Sequence, residues 1–484
     1  MFRTITSLVS KVYVRYHQEI ADRSRIGYAP TTIGRLPDDA LLEMFSFYLV
    51  KDPIENEKWY TLVHVCRRWR RIIFASPLRL DLRIDCTAGT RVNEMLHIWP
   101  FLPIQLRDNR RTRYGEGADH IIAALEQNDR VCEITLDGLP VSLLERIAAV
   151  MQEPFPALTD LRLYAATPQT VPVFPETFLG GFAPPRLQSL FLDGFAFPGV
   201  WKLLLSAHHL VVLSLWNIPH SGYISPEAMV TALSATPNLQ SFEIAFQSSL
   251  SRPDQASRQP PPLTRIILPA LTTLSFIGVS EYVEDLVSQI DVPLLNNLNI
   301  WLFNQLIFDT PLLHDFFART EMFKAHVRAD VRFDGVAVHF NLEPRFYLGI
   351  SCTELDWQLS LMSQVCGSSL PLFSTLERLY IITEGDFRPH WLDDVENTQW
   401  LELLRPFASL KDLYLDENTM LLVAPALQEL SGERVTEVFP ALQNLFREGP
   451  QESELMQEVI EQFIDVRQLS GHPVNLLSWE RSQE

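Results

Sequence analysis

The phrase PALTDLRLY at residues 156–164 returns, with its pattern kept, as PRLQSLFLD (185–193), HHLVVLSLW (208–216), PNLQSFEIA (237–245), PALTTLSFI (269–277) and PLLNNLNIW (293–301). It resumes as STLERLYII (374–382), ASLKDLYLD (408–416) and PALQNLFRE (440–448), and DRVCEITLD (129–137) is a weaker copy. Each copy is x-L-x-x-L-x-L in outline. The closing L-x-L is a short strand whose alternate side chains point inward, and the leucine three residues earlier packs where the chain enters that strand. Aligned on the last apolar residue, Leu136, Leu163, Leu192, Leu215, Ile244, Phe276 and Ile300 are separated by 27, 29, 23, 29, 32 and 24 residues.

Between the phrases lie helical stretches: VSLLERIAAVM (141–151), PEAMVTALSA (226–235), EYVEDLVSQI (281–290) and HDFFART (314–320). In the first, Leu144, Ile147, Ala148 and Met151 form one apolar stripe. Strands alternating with helices at this period require parallel strands joined by right-handed crossovers. The spacing is that of leucine-rich repeats, so the expected fold is an α/β solenoid over 81–448. A doubly wound α/β sheet is the alternative that the same alternation allows. Two stretches break the rhythm. SSLSRPDQASRQPPP (248–262) predicts an exposed loop. Between Ile300 and Ile381 the phrase fades, and KAHVRADVRFDGVAVHFNLE alternates at period two about Asp334–Gly335, a hairpin signal where two degenerate repeats are expected. After the last phrase, Leu455, Met456, Val459, Ile460 and Phe463 share a helical face, Gly471 suits a helix stop, and HPVNLLSW adds a strand, so 449–484 is expected to cap the array.

In a strand x-L-x-L-x the x residues line the open face. That assigns Asp160, Arg162 and Tyr164 outward, then Ser189, Phe191 and Asp193, then Ser214 and Trp216, Glu243, Ser275, and Asn299 with Trp301. Later strands add Arg378 and Tyr380, then Asp412, Tyr414 and Asp416. Aromatics with a few charges are what protein interfaces use as anchors. Tyr164, Phe191, Trp216, Trp301, Tyr380 and Tyr414 are therefore expected to form a strip that binds a protein client.

The front of the chain has another character. In LPDDALLEMFSFYLV (36–50), Pro37 suits a first helical position, Asp38 and Asp39 favour the positive helix end, and Leu41, Leu42, Phe45 and Leu49 share a face. After KDPIENEK comes a second helical stretch. Trp59, Leu62, Val63, Cys66, Trp69, Ile72 and Ile73 are apolar there, Arg67, Arg68, Arg70 and Arg71 lie opposite, and Pro77 ends it. A block this short cannot bury so much apolar surface alone, which points to a docking module covered by a partner.

These residues resemble the F-box. LP-x-x-x-L-L-x-x-x-F-x-x-L followed by W-x-x-L-x-x-V-C-R-x-W-R-x-I has that order and spacing, and CRRWRRIIFASPLRLDLRI is similar to the F-box-like proteins abundant in fungi. The likeness covers 34–80 and implies a three-helix module that docks on the Skp adaptor of a cullin–RING ubiquitin ligase. By position it carries adaptor contact onto Leu36, Pro37, Leu41, Leu42, Phe45, Leu49, Val65, Cys66 and Trp69. Leu36, Pro37 and Leu41 are expected to be open in the free protein, and Phe45 and Trp69 to hold the module together. The implied function is substrate recognition for an SCF-type ligase. A non-degradative Skp-bound scaffold or general interaction module is the alternative.

Composition agrees with such a reading. The 484 residues carry a formal charge of −19, which argues against a nucleic-acid binder. Residues 1–115 hold 19 Lys and Arg against 12 Asp and Glu, a net of +7, and the remainder 21 against 47, a net of −26. A basic front suits an acidic partner. Cys66, Cys86, Cys132, Cys352 and Cys366 include no C-x-x-C pair, so reduced thiols in cytoplasm or nucleus are expected. Residues 1–33 are expected to be a poorly ordered lead-in. The most apolar stretch, Val200 to Pro219, includes Lys202, His208 and His209, too polar for a bilayer span. No phosphate loop, nucleophile elbow or H-E-x-x-H is present. Asp393–Asp394 and His208–His209 lack convergent partners, and Cys352 and Cys366 are expected to be buried. No catalytic residue, metal or cofactor is assigned.

Overall fold

The computed structural model describes residues 33, 36–49, 58–76, 80, 82–87, 89, 92–98, 102–108, 114–165, 173–253, 264–303, 307–308, 310–323, 326–343, 345–352, 355–369, 375–384, 396–430, 432–449 and 454–480. The lead-in 1–32, the insert at 51–57, Pro77, most of the Pro-rich loop and Asp393–Asp394 lie outside the described residues, as do the side chains of Leu455, Met456 and Val459. The chain divides into two units, Met1–Arg83 and Ile84–Glu484.

The first unit holds helices α1 (Asp38–Leu49), α2 (Lys58–Val63) and α3 (Arg67–Ala75). Where the apolar pattern by itself gives one stretch after the insert, the chain turns at His64–Val65, and Cys66 starts a new helix by accepting from the Trp69 N–H through its sulfur. Phe45 and Trp69 meet with ring centroids 4.7 Å apart, and Trp59 sets its ring edge-on to Phe74. Arg68 ties α3 back to the start of α1, donating to the Leu36 carbonyl and pairing with Asp38 at 2.6 Å.

The second unit is built on strands β1 (Ile84–Cys86), β2 (Ile104–Asp108), β3 (Val131–Leu139), β4 (Asp160–Ala165), β5 (Ser189–Asp193), β6 (Val212–Ile218), β7 (Ser241–Phe246), β8 (Ile266–Ile267), β9 (Thr273–Gly278), β10 (Ile290–Asp291), β11 (Asn297–Leu302), β12 (Arg328–Phe333), β13 (Ala337–Leu342), β14 (Phe346–Ser351), β15 (Arg378–Thr383), β16 (Asp412–Leu415), β17 (Asn444–Glu448) and β18 (Asn475–Trp479). All but the small β8–β10 pair join one sheet of 16 strands, parallel except around β13. Helices alternate with the strands: α4 (Val92–Ile98), α5 (Tyr114–Leu125), α6 (Val141–Val150), α7 (Val200–Leu204), α8 (Pro226–Leu233), α9 (Ser280–Ser288), α10 (Pro311–Arg319), α11 (Leu355–Gln364), α12 (Asn397–Leu404), α13 (Glu417–Gln428) and α14 (Glu454–Leu469). Successive helices pack on one another along much of the array.

The repeat phrase explains the core. Leu161, Leu190, Leu213, Phe242, Leu274 and Leu298 are in cross-strand register and fully buried. Leu163, Leu192, Leu215, Ile244, Phe276 and Ile300 form a second buried row two residues on. The entry leucines Leu158, Leu187, Leu210, Leu239 and Leu271 are buried as expected. Just before each strand the backbone bonds continue from copy to copy, Gln188 N–H to Thr159 O, Val211 N–H to Gln188 O and Gln240 N–H to Val211 O.

The expected pair of degenerate repeats is instead a three-stranded reversal. Chain order runs β11, β12, β13, β14, β15, but spatial order runs β11, β14, β13, β12, β15. The hairpin at Asp334–Gly335 is present, and Asp334 Oδ1 accepts from the Val336 and Ala337 N–H groups. β14 turns back to lie parallel to β11, while β12 lies parallel to β15. The core rows pass through unbroken, Leu298 to Phe346, Leu342, Ala329 and Leu379. They can do so because side-chain alternation has period two whichever way a strand runs.

At the far end, Gly471 (φ +77°) follows α14, and β18 adds in parallel to β17. Ile460 and Phe463 are buried, but Leu476, in register with inward Leu445 on this last strand, stays about two-fifths exposed, while Leu477 continues the outward row beside Phe446. The final apolar layer is therefore only part-covered by the described residues.

Candidate functional site

On the helical unit, nine positions were assigned to partner contact. Leu41, Leu42, Phe45 and Trp69 are buried within the unit, Leu36 and Leu49 are half-buried, and Pro37, Val65 and Cys66 are exposed. The expectation that Leu41 is open is therefore corrected. It shares the face of Leu42 and Phe45 and closes the unit's own small core. Phe47, at 68% exposure, belongs to the open surface instead. It lies off the amphipathic face of α1 and was overlooked for that reason.

On the sheet, Arg162, Phe191, Ser214, Glu243, Ser275, Asn299, Tyr347, Asn341, Asp330, Tyr380, Tyr414 and Phe446 form one cross-strand row. All six expected aromatics are half-buried. They do not make one strip. Three clusters stand apart, because β7 and β9 separate Trp216 from Trp301, and the reversal puts four strand steps, roughly 19 Å, between β11 and β15.

In the first cluster Tyr164 and Phe191 lie with centroids 4.7 Å apart. Trp216 is the cross-strand partner of Asp193, and its indole N–H donates to Glu243 Oε2 at 2.8 Å. Asp193 Oδ1 accepts from the Asn217 amide at 2.7 Å. In the second, Trp301 lies over Gly349, where a Cβ would come 2.5 Å from its Cε3. Its indole donates to Ser351 Oγ at 3.0 Å, and Tyr347 stacks beside it. His339 bridges the Tyr347 hydroxyl (2.7 Å) and Asp334 Oδ2 (2.9 Å). Burial, with help from Glu384 and Asp334, pushes the Tyr347 phenol up to about 12.

The third cluster is a stack. Tyr380 and Tyr414 are nearly parallel at 4.1 Å, Tyr414 and Phe446 at 4.2 Å, and Trp479 meets both tyrosines edge-on. The Arg328 guanidinium caps Tyr380 at 4.0 Å and pairs with Asp330 (3.2 Å) and Glu343 (3.0 Å). Burial pulls Arg328 down, but Asp330, Tyr380 and Glu343 outweigh it and hold the guanidinium above its ordinary range. Burial and the neighbouring Tyr380 push the Tyr414 phenol up to about 12. Phe446 was legible as an x position of its phrase but was not assigned. Tyr347 and Arg328 carried no repeat signal at all.

Three residues expected to line the open face are not open on it. Ser189 and Ser214 are buried, and Asp416 instead starts α13, accepting from the Thr419 N–H and the Thr383 hydroxyl. A cleft of about 320 Å³ opens at the reversal, lined by Asn297, Asn299, Arg332, Asn341, Arg345 and Tyr347 among others. Among the described residues no group of three His, Cys, Asp or Glu side chains is placed to hold a metal, and no helix is long and apolar enough to cross a membrane. His208 approaches the Ala235 carbonyl through Nδ1, and Cys352 and Cys366 are buried, burial pushing the Cys366 thiol up.

No family model matches the chain, and no curated protein is significantly similar to it. Among solved structures, the leucine-rich repeat-containing protein LegL7 from Legionella pneumophila is similar at 14% identity, over 69% of this chain and 90% of that one, with a TM-score of 0.25. A superposition that loose carries no argument. The repeat period, the buried leucine rows and the parallel register give the second unit an α/β array that resembles the leucine-rich-repeat type.

Proposed function

We propose that the chain is a non-catalytic recognition subunit: the helical unit docks on a Skp-type adaptor, and the outward face of the repeat sheet holds a protein client. Catalysis would then come from proximity, since two reactants on one scaffold meet at high effective concentration. The observation that carries the client half is the three separate clusters of half-buried aromatics on one face of the 16-stranded sheet. Such rings combine apolar area with polar tips and lose little rotamer freedom on binding. The adaptor half is supported by the F-box-like residue order and by exposed Phe47, Val65, Pro37 and Cys66 on so small a helical unit.

Affinity purification tests both halves. Leu36→Ala/Pro37→Ala is expected to lose the adaptor and cullin while keeping clients. Trp216→Ala/Trp301→Ala is expected to keep the adaptor and lose clients, with circular dichroism unchanged. A client captured equally by both variants would reject the outward face as the gripping surface. Retention of the cullin by the first variant would reject the docking role.

A further inference from the structure

The outward carboxylates are not all held in the same way. In the second half of the sheet five described carboxylates meet cations. Asp330 meets Arg328 and Arg332, Glu343 meets Arg328, Glu384 meets Arg332, Glu377 meets Lys411, and Asp412 has Arg378 at 3.7 Å. Strands β4–β7 differ. Their one cation is Arg162, beside Asp160 at 3.5 Å. Among the described residues Asp193 and Glu243 are met only by neutral donors, the Asn217 amide and the Trp216 indole. Trp216 stands between these two carboxylates, in register with Asp193 and bonded to Glu243.

The chain contains a filled version of this arrangement. At Tyr380 an aromatic face and two carboxylates, Asp330 and Glu343, are occupied together by Arg328. The planar guanidinium suits that position because it stacks on the ring while its N–H fork reaches carboxylates on either side. At Trp216 the ring and the two carboxylates are present, and none of the described residues supplies the arginine. We infer that the partner supplies it: the β5–β7 part of the outward face receives an arginine side chain from an extended basic segment of the client. Resting on the client-binding reading above, this adds the chemistry of what is bound. Charge complementarity selects the occupant, since two carboxylates with no counter-cation among the described residues repel acidic segments and attract basic ones.

The test is fluorescence anisotropy of the full chain with a fluorescein-labelled Gly/Ser peptide carrying arginines at alternate positions, alongside its citrulline and lysine counterparts. The arginine peptide is expected to bind tightest, with the citrulline peptide weaker by about tenfold or more. Asp193→Asn/Glu243→Gln preserves shape and is expected to lose a similar factor. Glu145→Gln/Glu402→Gln makes the same charge change on exposed helix positions and is expected to stay near wild type. Equal binding by the Asp193/Glu243 variant, equal loss in the helix-face control, or a lysine or citrulline peptide as tight as arginine would each overturn the inference. If the arginine peptide fails while Trp216→Ala still weakens client capture, the arginine assignment falls and the outward-face reading stands. If Trp216→Ala leaves capture unchanged, the underlying reading falls.

Discussion

At the scale of single residues, small side chains and caps decide where the large ones rest. Gly349 is the clearest case. Its backbone is an ordinary strand, yet a methyl there would collide with Trp301 and come 2.9 Å from the Tyr347 hydroxyl. Gly349→Ala is therefore expected to displace the indole, break its bond to Ser351 and cost about 1–3 kcal/mol. Urea denaturation measures this, and a double-mutant cycle assigns it, since the cost should largely vanish in a Trp301→Ala background. The inward leucines were legible wherever the L-x-L phrase was intact, because alternation alone says which side chain is inward; it does not say which outward residues are covered, and Ser189 and Ser214 are. It failed at Asp416, where the strand ends and the helix begins. A short acidic side chain there caps the next helix instead of facing out.

Among elements, the β12–β14 reversal departs most from expectation. Its tight turn was legible from Asp334–Gly335, but the third strand was not. FYLGIS (346–351) has no leucine phrase, and nothing local says that it returns to pair with β11. The turn also carries a pH signature. Burial works to raise the Asp334 carboxyl, but the His339 hydrogen bond and the Val336 and Ala337 N–H groups outweigh it and hold it below the usual carboxylate range. An unfolded aspartate titrates near about 3.9. The stabilisation is therefore complete above that value and is lost as pH falls through the lower folded one. Urea midpoints measured from about pH 7 to 3 are expected to drop on the acid side in wild type. Asp334→Asn should flatten that drop, and an unchanged acid limb would contradict the assignment. The front helices were legible as an amphipathic pair, but their division at Cys66 depends on a cysteine acting as a cap, which composition does not announce.

On the scale of the whole molecule, repetition made the array legible while its interruptions were not. Nearest-neighbour stacking lets each repeat be inferred from its own phrase. An insertion obeys no period, and its placement follows from long-range pairing. That pairing has a mechanical consequence. A parallel array pulled by its ends gives up one strand at a time, each leaving through a single ladder. Peeling from the C-terminal side follows this course through β18, β17, β16 and β15, and then reaches β14, which is clamped between β11 and β13. Peeling from the other end reaches β12, clamped between β13 and β15. Either way two ladders must rupture together. Single-molecule stretching should show a run of low-force steps interrupted by one distinctly stronger event, and the reversal would act as a rip-stop that confines a tear to one half of the fabric.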